Sequence, residues 1–325
     1  MDTNEKLSVL KWISQEYYEL NGTRYETMDR LPSSLEFSKI VRVASPIPDA
    51  TKSWSDDFLI SRSGTRPISI AVTPNGRADA VTGGLDGLEY FAEPHTEQIT
   101  MENFLSKISS GARDAHPEIC YLQSQNGNVF SSDGSQESEF EAFKSQIPED
   151  LPWCSEALDS TPDAVNLWIG DQRSVTSIHS DPYENIYTVV RGSKTFTLLP
   201  PTEGWCLAER TYPHAQYKRT EPYSRLTLVP SQGTAPIRWS SVADPNLPGA
   251  LNAEAHPMEI TVGPGESLYL PAGWWHYVRQ SGVTIAVNYW YDLESRGSSW
   301  VWLNLLRGSA EPPSSTGALT AEDSS

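Results

Sequence analysis

Near the start of the chain apolar residues recur every three or four positions: Leu7, Leu10, Ile13, Tyr17 and Leu20. That spacing puts them on one face of a helix over residues 4–20, which Asn21-Gly22 stops. The pattern then breaks from Leu31 to Ser53, where prolines stand at 32, 46 and 48. Ser55-Asp56-Asp57 offers an N-cap ahead of Phe58 and Leu59. Ile68 to Val72 reads as a strand, closed by the turn signal Thr73-Pro74-Asn75-Gly76. Thr100 caps a short helix whose apolar face is Met101, Phe104, Leu105 and Ile108, with Gly111 at its end. Ile119 to Gln123 is a strand carrying Tyr121, and the acidic, Ser-rich stretch from Phe130 to Asp150 is a loop with a short helix around Phe140 and Phe143.

From Ala164 onward the period shortens to two. Strands are predicted at 164–169, 175–179, 185–191, 194–199, 226–229, 259–263, 267–270, 276–280 and 283–290, with Gly192-Ser193 joining two of them as a hairpin. Many short strands between Gly/Pro turns imply a sandwich or barrel, and a jelly roll with helices packed outside is the natural form. Residues 292–307 read as a helical tail. Trp300, Val301, Trp302, Leu303, Leu305 and Leu306 wrap most of the way round it, so one barrel face covers only one side. This predicts a two-fold homodimer built partly from the tail. Residues 309–325, rich in Ser, Pro, Ala and Glu, are expected to be disordered.

Composition narrows the partners. The 325 residues carry a formal net charge of -18, which argues against a nucleic-acid partner and is compatible with a basic protein substrate. Three cysteines, Cys120, Cys154 and Cys206, are odd in number and widely spaced; reduced thiols in a cytosolic or nuclear protein are expected. Asp2, Glu5 and Lys6 stand where a signal peptide needs an apolar run, and no apolar stretch of membrane-spanning length exists. The sequon Asn21-Gly22-Thr23 is therefore expected to be silent.

The candidate chemistry lies in Thr176-Ser177-Ile178-His179-Ser180-Asp181 and in Pro271-Ala272-Gly273-Trp274-Trp275-His276. Alternate side chains of a strand share a face, so His179 and Asp181 can point into one pocket. His276, after a Gly-Trp-Trp turn, can supply a third ligand. Two imidazoles and one carboxylate with open positions left over suit non-haem Fe(II) that must still bind cosubstrate and oxygen. A lone His-x-Asp is common by chance, so the argument rests on the surrounding residues fitting the same chemistry. The other histidines, His95, His116, His214 and His256, sit beside Pro or in polar, turn-rich stretches and are read as surface or loop residues.

Beyond these residues the chain carries Ala71-Val72-Thr73-Pro74-Asn75-Gly76, Ala78-Asp79-Ala80-Val81, Pro152-Trp153-Cys154-Ser155-Glu156-Ala157-Leu158 and Pro162-Asp163-Ala164-Val165-Asn166. Tyr183-Glu184-Asn185 and Asn288-Tyr289-Trp290-Tyr291-Asp292 follow. Together these resemble a JmjC-domain oxygenase of the cupin superfamily. Within it they are most similar to the small lysyl (3S)-hydroxylases that act on ribosome-associated, developmentally regulated GTP-binding proteins. The resemblance covers most of residues 54–306. It implies a double-stranded β-helix and divides the chain into an N-terminal segment 1–53, a catalytic domain 54–291, a C-terminal helical segment 292–308 and a tail 309–325.

The resemblance also implies Fe(II), 2-oxoglutarate and O2, with His179, Asp181 and His276 as metal ligands and no protein acid or base beyond them. Lys194 matches the base that grips the far carboxylate of 2-oxoglutarate, a good task for an ammonium point charge. Thr176 and Tyr121 match hydroxyl donors to the same carboxylate, and Asn185 and Asn288 match amides lining the cosubstrate pocket. Dimerisation through C-terminal helices is implied as well. For a lysyl substrate, Asp163, Asp171, Glu184 and Asp292 are the acidic candidates near the motif strands. One departure is visible: Val41-Arg42-Val43-Ala44-Ser45-Pro46 is shorter than the family's early strand, which is expected to be missing or rebuilt.

Two other classes compete with a lysyl hydroxylase. An N-methyl-lysine demethylase shares the cofactors, but most chromatin demethylases of this superfamily use His-x-Glu and carry zinc or reader modules, whereas this chain has Asp181 and no Cys cluster. A metal-free binding or scaffold protein would need a broken triad or a missing 2-oxoglutarate base, and neither is seen; a metal-binding, non-enzymatic cupin scaffold is a further alternative. A cupin isomerase would show more histidine ligands, and no nucleophile or zinc motif of a peptidase is present.

Overall fold

Two long strands, Tyr183–Leu199 and Trp275–Asp292, carry the architecture of the computed structural model. They run antiparallel from the Tyr183↔Asp292 pair to the Leu199↔Trp275 pair. The structure describes residues 3–21, 26–27, 41–44, 46–109, 118–123, 127–130, 138–221, 224–292, 305 and 314–315. Midway, register shifts between Val189, Arg191 and Ser193 bend the pair. Gly192 and Gly282 take left-handed φ values of 75° and 60° at the bend, a conformation open to glycine at no steric cost. The Gly192-Ser193 pair is therefore not the tip of a hairpin, as its composition suggests. It is a bulge inside one strand, and Lys194 continues the strand that carries Asn185.

The bend sends each half of the pair into a different sheet. The first halves pair with Ala164–Gly170 on one flank and Glu266–Leu270 on the other. The second halves pair with Val175–Ser180 and Met258–Val262. This is a double-stranded β-helix, a jelly roll closed by strands that serve both sheets. Val41–Ala44 pairs with Glu266–Leu270, and Glu26–Thr27 pairs outside it at the edge of the first sheet, so the early strand is retained despite its shortened segment.

Along the long strands successive side chains enter two different clusters. On Trp275–Asp292, Ala286 and Trp290 face between the sheets, in a cluster with Tyr187, Phe196 and Leu198. Ile285, Val287, Tyr289 and Tyr291 face outward into a second cluster with Leu59, Phe104, Leu105 and Phe143. These come from the helices Asp56–Ser63 and Met101–Ser109 and the 3-10 turn Glu141–Gln146. Because helices cover the outer face, both faces of the strand are apolar and its sequence reads as a continuous run. Each such side chain contributes about 1.5–3 kcal/mol on burial. The caps read from sequence are in place: Ser55 Oγ accepts from Phe58 N at 3.2 Å and Thr100 Oγ1 from Asn103 N at 3.3 Å.

The N-terminal helix spans Thr3–Asn21. It is fastened by Ser14, whose Oγ donates to the fully buried Glu203 at 2.8 Å. Cys120, Cys154 and Cys206 are buried and free. No helix among the described residues is long and apolar enough to cross a membrane. The apolar tail residues Trp300, Val301, Trp302, Leu303 and Leu306, His116 and the 316–325 tail lie outside the described residues. The strands Arg77–Ala78, Ala80–Gly83, Glu89–Glu93 and His95–Thr100 add a segment for which the periodicity gave no elements.

The two bend glycines separate backbone strain from steric conflict. A Cβ on Gly192 would lie 2.3 Å from Thr284 Oγ1, whereas nothing lies within 4 Å of one on Gly282. Gly282→Ala is expected to cost about 1 kcal/mol of stability for its backbone conformation. Gly192→Ala is expected to cost more, about 2–4 kcal/mol, as steric repulsion adds to that term. Urea unfolding of the two variants checks the order.

Candidate active site

His179 and His276 face each other directly across the Val175–Ser180 and Trp275–Asp292 ladder. Side chains of such a pair project to one face, and the two imidazole centroids are 4.2 Å apart. Each ring is oriented from behind: His179 Nδ1 lies 2.8 Å from the Ser177 carbonyl and His276 Nδ1 lies 3.0 Å from that of Trp274. A carbonyl can only accept, so Nδ1 carries the proton and Nε2 keeps its lone pair. Both Nε2 atoms turn to Asp181 Oδ2, at 3.5 Å and 3.7 Å. The Asp181 carbonyl accepts from Gly273 N at 2.7 Å, tying the two ligand turns together.

One donor atom from each of the three residues falls within 4.8 Å of the others, a spacing that a single cation can bridge. Burial pushes His276 down to about 4, with the neighbouring His179 adding to the shift. For His179 burial acts downward too, but the Asp181 carboxylate and the Ser177 carbonyl outweigh it and the net direction is up. A carboxylate pressed against two imidazole lone pairs fits a divalent cation.

The triad lines a cavity of about 650 Å³ between the sheets, whose wall also includes Tyr121, Thr176, Asn185 and Asn288. Lys194 is 2 % exposed, and its Nζ donates to Tyr121 Oη at 2.8 Å. The Tyr121 hydroxyl also meets those of Thr176 and Tyr187. The rings of Tyr121 and Tyr187 each lie 5.3 Å from the ammonium. No carboxylate pairs with Lys194 among the described residues, and burial pushes its pKa down to about 7. A buried cation held by neutral oxygens and ring faces is a site made for an anion. On the adjoining sheet, Asn288 Nδ2 donates to Asn185 Oδ1 at 3.0 Å and Trp168 Nε1 to Asn288 Oδ1 at 2.7 Å. The indole N–H of Trp290, 8 % exposed and on the cavity wall, has no acceptor among the described residues. The structure thus brings together all eight residues expected at the site.

The acidic candidates fare otherwise, since none of the four is on the cavity wall. Asp171 is buried against Arg173. Glu184 is buried, accepts from Tyr269 Oη and Ala272 N, and is pushed up to about 7 by that burial. Asp163 and Asp292 are exposed. Besides Asp181, the carboxylates on the wall are Asp79 and Glu93, accompanied by Phe91, Gln123, Gln216 and Trp239. Burial, and then the charge of Glu93, push Asp79 up to about 6. The adjacent aromatics Tyr90-Phe91 are a strand signal that sequence reading missed, and nothing near Trp239 marks it as a wall residue. His214 is also no surface loop: it lies in the strand His214–Lys218, its Nε2 3.2 Å from Glu93 Oε1.

The family comparison agrees with this geometry. The cupin-like domain matches residues 40–297, and the chain belongs to that family, in its JmjC branch of Fe(II)- and 2-oxoglutarate-dependent oxygenases. It is 36% identical over 297 residues to the lysine-specific demethylase JMJ32 of Arabidopsis thaliana, covering 84% of this chain and 83% of that protein. It is 34% identical over 280 residues to the human bifunctional peptidase and (3S)-lysyl hydroxylase JMJD7, covering 82% and 84%. JmjC domain-containing protein E of Dictyostelium discoideum is 30% identical over 285 residues, covering 79% and 78%.

Two measurements test the site. Asp181→Ala removes the only anionic ligand of the triad, so Fe(II) or Mn(II) affinity measured by titration is expected to collapse while the circular dichroism spectrum is kept. For Lys194, the folded pKa near 7 lies below the ordinary 10.5, so between those values the unfolded chain holds the extra proton. The burial cost is full below about pH 7 and fades as pH rises toward the ordinary value. An anion beside Nζ restores the proton. Binding of 2-oxoglutarate at about pH 8 is therefore expected to take up protons, read by calorimetry in buffers of different ionisation enthalpy. Lys194→Ala should abolish that uptake and weaken binding by about 2–5 kcal/mol.

Proposed function

We propose that this chain is a protein lysyl hydroxylase that uses Fe(II) and 2-oxoglutarate to oxidise a carbon of a lysine side chain. The observation that carries the oxygenase chemistry is one cavity wall holding both a His-Asp-His cation site and the tyrosine bound to a buried ammonium that no carboxylate among the described residues pairs. His179, Asp181 and His276 would hold the iron, and Lys194, with Tyr121 and Thr176, would hold the far carboxylate of 2-oxoglutarate. Asn185, Asn288 and the indole N–H of Trp290 offer polar contacts to the rest of the cosubstrate. When bound, the pair supplies the oxidising power that splits O2 between succinate and substrate. The chain's own part is to orient, to bury and to exclude water.

The lysyl substrate is supported by the human relative, whose name is that of a (3S)-lysyl hydroxylase. The net charge of -18 suits a basic partner. A ribosome-associated, developmentally regulated GTP-binding protein is the target this reading selects, in the cytoplasm or nucleus, with the enzyme acting as a dimer. The Arabidopsis relative is named a lysine-specific demethylase, which supports a second reading, removal of N-methyl groups from lysine.

The test is turnover of the purified GTP-binding protein with Fe(II), ascorbate and 2-oxoglutarate. The expected result is succinate formation coupled to a gain of one oxygen atom on a lysine, absent with the Asp181→Ala variant. Loss of a methylene unit from a methyl-lysyl substrate, with no oxygen gain on the unmodified protein, would favour the demethylase.

A further inference from the structure

We propose that Asp79, with Glu93 beside it, is the receptor for the ammonium group of an unmethylated substrate lysine. The proposal rests on the lysyl-oxygenase reading above and adds the residues that make the choice of lysine. The strand Arg77–Ala78 runs parallel to Val175–Ser180, with Ala78 opposite Thr176. Asp79 therefore falls beside Ser177, whose Oγ donates to the Asp79 carbonyl at 2.7 Å. Ser177 precedes His179 by two residues, a rise of about 7 Å along the strand. Four bonds separate Cβ from Nζ in lysine, a span of the same order. An ammonium anchored at Asp79 therefore leaves carbons of the same side chain near the triad.

The aromatic wall of the same cavity suits a methylene stem. Trp239 stacks on His179, 5.6 Å between centroids and 9° between planes, and Phe91 lies 4.8 Å from Trp239. An apolar stem along aromatic faces ending at a carboxylate is the way an amphipathic lysine is best satisfied. Gln123 Nε2 holds Asp79 Oδ2 at 3.0 Å, which orients the carboxylate. No lysine or arginine pairs with Asp79 among the described residues, so a cation is what the wall lacks. A primary ammonium has three N–H donors for these carboxylate oxygens, whereas a trimethylated one has none. The receptor thus favours the unmethylated side chain and, with it, hydroxylation over demethylation.

Asp79 has a left-handed φ of 52°, which asparagine also accepts, so Asp79→Asn removes the charge without a new backbone conflict. The holoenzyme, prepared without oxygen with Mn(II) and 2-oxoglutarate, is titrated with fluorescent peptides spanning the lysines of the GTP-binding protein. Each peptide is made with lysine, norleucine or trimethyl-lysine at the centre. Wild type is expected to bind the best lysyl peptide at least about ten-fold more tightly than its norleucyl twin, the size of one charge-assisted hydrogen bond. Asp79→Asn should erase that preference, and Glu93→Gln should reduce it. Both variants keeping the full preference overturns the receptor and leaves the lysyl reading standing, because wild type still selects lysine. A shift of 2-oxoglutarate affinity in Asp79→Asn in place of the lysyl preference also overturns it. Wild type binding norleucine as well as lysine, or binding none of the peptides, overturns both. Tighter binding of trimethyl-lysine overturns the unmethylated choice and supports the demethylase.

Discussion

The pairing of His179 with His276 across one antiparallel ladder is the constraint on which the site depends. Two imidazoles on adjacent strands can meet only at a register that puts them opposite, and a slip of one residue would turn one of them to the outer face. That register belongs to the ladder of Val175–Ser180 with Trp275–Asp292, which shifts between Thr176 and His179 to bring the two histidines opposite. The carbonyls of Ser177 and Trp274 then fix the ring tautomers. Backbone geometry therefore positions the ligand atoms before any cation arrives.

The same long strands explain why cation site and ammonium are neighbours. Lys194 lies just beyond the bend and Asn185 before it, so one strand delivers an ammonium to one sheet and an amide to the other. A buried lysine is costly, and its pKa is driven down to about 7. That cost persists because the surrounding aromatic core is continuous: Tyr121, Tyr187 and Phe196 belong to one buried cluster. A chain selected for stability alone would put an apolar residue there.

The cavity separates two kinds of work. Its inner wall, of strand residues from both sheets, is pre-organised by hydrogen bonds such as Trp168–Asn288–Asn185. Its remaining wall comes from segments outside the jelly roll, the Glu89–Glu93 and Ile237–Trp239 strands. In a shared fold, chemistry resides in the former and choice of substrate is free to vary in the latter.

Local pattern alone determined the N-terminal helix, the capped helices after Ser55 and Thr100, the run of strands from Ala164 and the jelly-roll class, since period and caps are short-range signals. His179, Asp181 and His276 were legible too, because ligand chemistry restricts residue type and a strand's period of two says which side chains share a face. The continuity of the two long strands was not legible. Gly192-Ser193 has the composition of a turn, and only the pairing on both sides makes it a bulge. Nor was the acidic wall: Asp163, Asp171, Glu184 and Asp292 lie near the motifs in sequence, yet pairing and exposure send them elsewhere. Asp79 and Glu93 reach the cavity through the parallel pairing of Arg77–Ala78 with the metal strand and of Glu89–Glu93 with His214–Lys218. Contacts between strands about a hundred residues apart leave no local trace in the chain, so only the tertiary structure could decide which carboxylates face the substrate.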